Sequence, residues 1–296
     1  MGLFMPRIKK AVITAAGLGT RLLPATKVLP KEMLLIFTRG RSGQILPKPI
    51  IQAVFEQLFD AGIREFFIVV GRGRRLIEDH FTPDMGFLQL LRERGRELYA
   101  DELESFYERV SESEITFLEQ LEPKGFGDAV LRAEKLIDET FIVHAGDTYI
   151  VSSDLKHLRQ PLQVHERWNA SATLLVREVY DPRPRGIMGG ELVENDVWRV
   201  ERVEEKPEKP WSRLAILPIY IFEPEIFDAL AETPPGKGGE VQLTDGIGRL
   251  LDRGGRVMAV RLPEGAIRLD IGDPRGLWEA LEISYKLAAN PYLNRS

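Results

Sequence analysis

Two short apolar runs, Ala11–Ala15 (AVITA) and Phe66–Val70 (FFIVV), are each closed by a glycine, Gly17 and Gly71, and a helical-period segment lies between them. Apolar runs of this length without alternation predict strands buried on both faces. In Ile50–Ala61 (IIQAVFEQLFDA) the apolar positions recur at helical spacing and stop at Gly62, a helix C-terminus signal. Strand, helix, strand in that order predicts a crossover connection, and hence a mainly parallel sheet with helices on both faces.

The alternation continues along the chain. Gly86 to Val110 is charged and amphipathic and reads as one or two surface helices. Ile115–Leu118 and Phe141–His144 read as strands, with a helix from about Asp128 to Leu136 between them. After Asp154 come a helix and then the strand Ala172–Val176. Strand-like pieces follow around Glu191–Glu194, Trp198–Glu204 and Leu214–Phe222, so the second half is expected to be more antiparallel. Thr244–Asp252 and Leu277–Ala289 are helical and flank the strand Arg256–Leu262. No internal repeat or linker interrupts the pattern. The expected fold class is therefore α/β: a Rossmann-like mixed, mainly parallel sheet flanked by helices, in a single domain over residues 1–296.

Composition removes several classes of function. The net charge is −5 and there is no basic tail, which argues against general nucleic-acid or membrane-surface binding. With no Cys in the chain, disulfides, thiolate metal sites and Cys nucleophiles are excluded. The four histidines, His80, His144, His157 and His165, lack metal-ligand spacing. No apolar run approaches the ~20 residues that span a bilayer. The N-terminal MGLFMPRIKK lacks the long apolar core of a signal peptide, so a cytoplasmic location is expected.

The chemistry concentrates first in Ala15–Leu34, AAGLGTRLLPATKVLPKEML. Glycines after a strand let backbone N–H groups approach phosphates, and Arg or Lys then neutralise the charge. A bare GxG reads better as a tight strand-to-loop turn. Leu22 stands where a dinucleotide fingerprint needs its third Gly or Ala, and no Gly-Lys-Ser/Thr follows, so neither that motif nor a P-loop is present. Two other Gly-rich basic stretches, Arg39–Leu46 (RGRSGQIL) and Gly71–Arg75 (GRGRR), read better as solvated turns than as anion loops.

The longer pattern G-L-G-T-R-L-L-P-A-T-K…P-K-E-M-L resembles the signature of the sugar-1-phosphate nucleotidylyltransferases, in particular their bacterial uridylyl branch. PIIQAVFEQLFDAGI, EQLEPKGFGDAVLRA, EKPE, TPPGKGGEVQLTDGI and LDIGDPRG follow in that family's order, so the resemblance runs from about Lys9 to Ala289. It implies an enzyme that transfers a uridylyl group from UTP to glucose 1-phosphate, with Mg²⁺ as cofactor, and a homo-oligomer, dimer or tetramer. It implies that Ala16, Gly17 and Gly19 meet the nucleotide, with Arg21 and Lys31 on the triphosphate. Gln120 and Gly127 correspond to the pair that meets the uracil, and Gly186 to the glycine bordering the sugar. Glu205 and Lys206 correspond to the sugar-hydroxyl acceptor and the sugar-phosphate cation, and Lys206 joins Arg21 and Lys31 as a catalytic cation. Asp147 and Asp270 correspond to the two metal-binding aspartates.

By themselves these residues keep plainer readings. Asp147 could cap a turn, although the carboxyl end of a parallel strand is where open α/β sheets place ligands. Asp270 before a glycine is ordinary turn chemistry. Glu205–Lys206 could be a surface ion pair, and Gln120 has no chemical signature of its own. Three departures from the family pattern stand out: the insert Arg39–Leu46, Asp128 where His is frequent, and Gly146 where Pro is usual. The alternatives to a uridylyltransferase are a thymidylyltransferase using dTTP, a dinucleotide-dependent oxidoreductase, and a non-catalytic nucleotide-binding homologue.

Overall fold

The computed structural model describes residues 8–71 and 74–290. Its strands are β1 (Lys10–Ala15), β2 (Leu35–Arg39), β3 (Ile45–Pro49), β4 (Glu65–Val70), β5 (Glu114–Glu119), β6 (Phe141–Ala145), β7 (Thr148–Val151), β8 (Ala172–Glu178), β9 (Gly186–Glu194), β10 (Val197–Glu205), β11 (Leu214–Phe222), β12 (Val257–Arg261) and β13 (Ile267–Asp270). The helices are α1 (Ile50–Asp60), α2 (Arg74–His80), α3 (Met85–Glu93), α4 (Glu97–Ser111), α5 (Phe126–Leu131), α6 (Lys156–Trp168), α7 (Glu225–Ala231), α8 (Leu243–Asp252) and α9 (Pro274–Ala289).

Nine strands form one sheet in the order β5-β4-β1-β6-β11-β8-β12-β10-β9. The β5-β4-β1-β6 half is parallel throughout. Antiparallel pairing enters with β11, which runs against both β6 and β8, and returns at β10. The mixed, mainly parallel α/β sheet expected from the sequence is the one observed.

Strand residues alternate between two cores, which explains the uninterrupted apolar runs. Along β1, Val12 faces one cluster with Val69 and Val143, while Ala11 and Ile13 face the other with Phe66 and Ile68. Helices α5, α7 and α8 cover the first face through residues such as Val130, Phe227 and Ile247. Helices α1, α4 and α6 cover the second through Phe55, Phe106 and Leu162. Phe55 is fully buried with its ring against Phe59, Phe66, Phe81 and Phe106. Phe55→Ala should therefore cost about 3–5 kcal/mol, read as a lower urea midpoint at unchanged slope. A shift below ~1 kcal/mol would mean that the aromatic cluster collapses to fill the hole.

Several expectations are refined. The segment 86–110 forms two helices, α3 and α4, broken at Gly95, whose φ of 65° ends α3. The helix expected near 128–136 begins earlier, at Phe126, and ends at Leu131, giving way to hydrogen-bonded turns up to Leu136. The basic stretch at 39–46 is the tip of an antiparallel hairpin, β2–β3, closed by Gly40 N–H to the Gln44 carbonyl at 2.8 Å. In the other basic stretch, Arg72 and Gly73 lie outside the described residues. A separate two-stranded pairing of β7 with β13 was not expected from the sequence, because both strands have only four residues. Among the described residues, no helix is long and apolar enough to cross a membrane.

Candidate active site

The carboxyl ends of β1 and β6 open into a cleft of about 840 Å³. Its wall includes Ala16, Gly17, Gly19, Arg21 and Lys31 from the β1 loop, and Asp147 from the turn after β6. Gln120, Lys206 and Asp270 reach the same cleft from β5, β10 and β13. Side chains far apart in sequence thus converge on the edge where an open α/β sheet places its ligand.

Gly19 has a φ of 62°, a left-handed turn that a side chain disfavours, and Thr26 Oγ1 donates to its carbonyl at 2.8 Å. The turn carries the chain toward Lys31, whose ammonium pairs with the Asp147 carboxylate. Burial alone would raise the Asp147 carboxyl and lower the Lys31 ammonium. The mutual attraction prevails, so Asp147 is held below the usual carboxylate range and Lys31 above the usual lysine range. Arg21 is more exposed, with one guanidinium nitrogen 3.9 Å from Asp273.

Glu32 was not singled out in the sequence, yet it is 1% exposed and its Oε2 is buried without a hydrogen-bond partner. Burial pushes its carboxyl up to about 7, and Asp147 adds to the rise while Lys31 opposes it. In the unfolded chain the group titrates near 4.5. Below that pH the carboxyl is protonated in both states, and as pH rises through about 7 the stability contributed by the protonated form is lost. Glu32→Gln should accordingly flatten the fall in urea midpoint between about pH 4.5 and pH 7. An identical fall in wild type and variant would assign that pH dependence elsewhere.

Asp147 and Asp270 meet through the β7–β13 pairing. Asp270 stands opposite Thr148, and Ile271 N–H donates to the Asp147 carbonyl at 3.0 Å. Both carboxylates are balanced by cations, Asp147 by Lys31 and Asp270 by Arg268 at 2.7 Å. No group of three or more acidic or imidazole ligands occurs among the described residues. Two carboxylates in a cleft open to phosphates fit Mg²⁺, which is held by one or two protein oxygens and completes its shell with phosphate and water. No histidine lines the cleft, and burial lowers His144 to about 4 and His157 to about 3.

Gln120 is buried, and its Nε2 donates to the Gly125 carbonyl at 3.0 Å and to Asp128 at 2.7 Å. The carbonyl oxygen is then the atom this side chain can offer a ligand. Asp128, flagged as unusual in the sequence, is therefore the residue that orients Gln120, and Arg132 holds it in turn at 2.8 Å. Gly127 does not line the cleft. Its N–H goes to the Val241 carbonyl at 2.9 Å, while its neighbours Gly125 and Phe126 form the wall.

Gly186 and Glu205 line an adjoining pocket of about 170 Å³ with Tyr220 and Thr244. Gly186 stands opposite Glu205 in the β9–β10 register. A Cβ at Gly186 would sit 2.6 Å from Thr244 Oγ1 and 2.9 Å from Glu205 Oε2, so a side chain there would displace the Thr244–Glu205 pair. Thr244 Oγ1 donates to Glu205 Oε2 at 2.6 Å, and Lys206 Nζ lies 3.1 Å from Glu205 Oε1. Thr244 lies in the quoted VQLTDGI motif, but nothing local marked its partner. Arg185 and Arg268, also missed, line both the cleft and this pocket.

Known proteins resemble this chain over nearly its whole length. The nucleotidyl transferase family model matches residues 10–286. The chain is 40% identical over 277 residues to the UTP–glucose-1-phosphate uridylyltransferase of Bacillus subtilis, covering 92% of this chain and 89% of that one. It is 36% identical to the enzyme of the same name from Pseudomonas aeruginosa, covering 94% and 96% of the two chains. Among solved structures, a UDP-glucose pyrophosphorylase complexed with UDP-glucose superposes with a TM-score of 0.79 at 32% identity, over 94% of this chain and 99% of that one.

Proposed function

Since the chain belongs to the nucleotidyl transferase family, we propose that it transfers the uridylyl group of UTP to glucose 1-phosphate, giving UDP-glucose and pyrophosphate. The observation that carries this reading is the convergence of Lys31, Lys206, Asp147 and Asp270 on one cleft, with Glu205 and Gly186 in the pocket beside it. The names of the relatives supply the identity of the two substrates.

A phosphate monoester is anionic at neutral pH, so the acceptor is already a nucleophile and needs no general base. Its oxygen attacks the α-phosphorus while the bond to the bridging oxygen breaks, and the electron pair leaves with pyrophosphate. The obstacle is bringing two polyanions together, and positioning and electrostatics answer it. Arg21 and Lys31 balance the triphosphate, and Lys206 balances the sugar phosphate and the charge that builds on the α-phosphate. Asp147 and Asp270 would hold Mg²⁺, which supplies further charge neutralisation on the phosphates. Gln120 accepts the N3–H of the base through its carbonyl oxygen, and Glu205 accepts hydrogen bonds from sugar hydroxyls.

Pyrophosphate release over a grid of nucleoside triphosphates and sugar 1-phosphates, with and without Mg²⁺, tests the reading. UTP should lead dTTP by a modest margin, because uracil and thymine share the edge that Gln120 reads. A higher kcat/KM with dTTP would favour the thymidylyl reading, which rests on that shared edge. Glu205→Gln should raise KM for glucose 1-phosphate about ten- to a hundredfold with little change in kcat, because hydroxyl contacts are alike in ground and transition states. Unchanged constants would return Glu205 to its ion pair with Lys206 and its bond to Thr244.

A further inference from the structure

Asp270 also borders another cavity, of about 210 Å³, with Arg177, Arg185, Arg268 and Arg275 on its wall. The acids around it are already engaged. Glu279 accepts from Arg275 at 2.7 Å, Asp270 pairs with Arg268 at 2.7 Å, and Asp273 caps Gly276 N–H at 2.9 Å. Arg177 and Arg185 make no side-chain hydrogen bond or ion pair with the described residues. The Nε atoms of Arg177, Arg185 and Arg268 are all buried without a partner, and the Arg268 side chain is 8% exposed. Burial lowers Arg177 and Arg185 from the ordinary arginine range and repulsion from Arg268 lowers them further, with Asp270 opposing at both and Asp181 at Arg185 without reversing the shift.

Three guanidinium groups held around a void, with one carboxylate paired among them, form an electrostatically unbalanced arrangement. Glucose, whose sugar end is neutral, gives no reason for it, and Lys206 already serves the sugar phosphate. Position narrows the ligand. Arg185 directly precedes Gly186, and Arg185 and Arg268 line the cavity, the main cleft and the sugar pocket alike. A planar guanidinium fork is suited to the paired oxygens of a carboxylate or phosphate.

We propose that Arg177, Arg185 and Arg268 form a second anion subsite at the edge of the sugar pocket, for a compact oxyanion that is either free or carried on the sugar of the acceptor. The sugar-borne form rests on the assignment of that pocket to the acceptor. Titration calorimetry of inorganic phosphate into protein saturated with UDP-glucose tests the subsite: the diphosphate fills the α-phosphate and sugar-phosphate positions, and phosphate taken up at the open pyrophosphate position beside Arg21 and Lys31 would not depend on Arg177. The expected result is one phosphate per chain whose binding depends on the arginines, weakened about ten- to a hundredfold in Arg177→Met and in Arg185→Gln and only partly restored in Arg177→Lys, which returns the charge without the fork. Repeating the titration with UDP-glucuronic acid, whose sugar bears a carboxylate, separates the sources. Loss of phosphate uptake identifies a sugar-borne anion, and retained uptake identifies a free one. No uptake by the UDP-glucose complex, or equal affinity in wild type and both charge-removing variants, overturns the subsite. Failure of UDP-glucose to bind would instead sink the proposed reaction, and the dependence of phosphate affinity on Arg177 would then be read on the ligand-free protein.

Discussion

Asp147→Asn is expected to lower kcat by about two to three orders of magnitude while far-UV circular dichroism stays unchanged. Asparagine keeps the shape of the side chain and one carbonyl oxygen, so the turn between β6 and β7 survives. What it removes is charge. Lys31 then loses the partner that holds its ammonium in the cleft, and Asp270 remains as the sole carboxylate of the facing pair. Both changes act where negative charge moves from the α-phosphate to pyrophosphate, so kcat should fall more than KM rises. The variant should also need more Mg²⁺ to reach half of its own maximal rate. Pyrophosphate release measured against Mg²⁺ concentration checks both points. Mg²⁺-dependent turnover within about threefold of wild type would remove Asp147 from the reaction, since electrostatic contacts of this kind are worth far more.

Lys206→Ala should reduce kcat/KM for glucose 1-phosphate about ten- to a hundredfold, the worth of a charge-assisted hydrogen bond, with kcat falling as well as KM rising. Successive side chains of an extended strand point to opposite faces, so Glu205 and Lys206 could not both reach one ligand from an unbroken β10. The backbone resolves this at Lys206 itself, where φ is 44°. That left-handed conformation swings Nζ back to 3.1 Å from Glu205 Oε1. It is also strained for a residue with a Cβ. Lys206→Gly should therefore lose as much activity as Lys206→Ala yet be more stable than it by about 1 kcal/mol. Equal stability of the two variants would mean that the left-handed turn is not held in solution, and wild-type kinetics in both would return the pair to a surface contact.

The parts of the fold legible in the sequence were those with long, regular patterning. The apolar runs of β1 and β4 and the helical period of α1 each carry enough residues to outvote chance. The hairpin β2–β3 was hidden because Pro47 and Pro49 lie within its second strand and β2 is too short to establish an alternation. The site divides in the same way. Asp147 was visible because it follows a buried strand in a place where ligands collect. Thr244, Glu32 and Arg177 carry no such mark. Thr244 matters through a carboxylate on another strand, Glu32 through the depth of its burial, and Arg177 through two guanidiniums it meets only in three dimensions.

The pairing of β7 with β13 bears on the order in which the protein becomes competent. A ribosome releases β1, β6 and the Lys31 loop early, and the parallel half of the sheet is composed entirely of segments that precede β7. Asp147 is among these early residues, but its counterpart Asp270 arrives only with the last strand. A nascent chain therefore carries Asp147 and Lys31 without the facing carboxylate while the 123 residues from Asp147 to Asp270 are added. The pairing of β13 with β7 is then what brings the second carboxylate to the cleft.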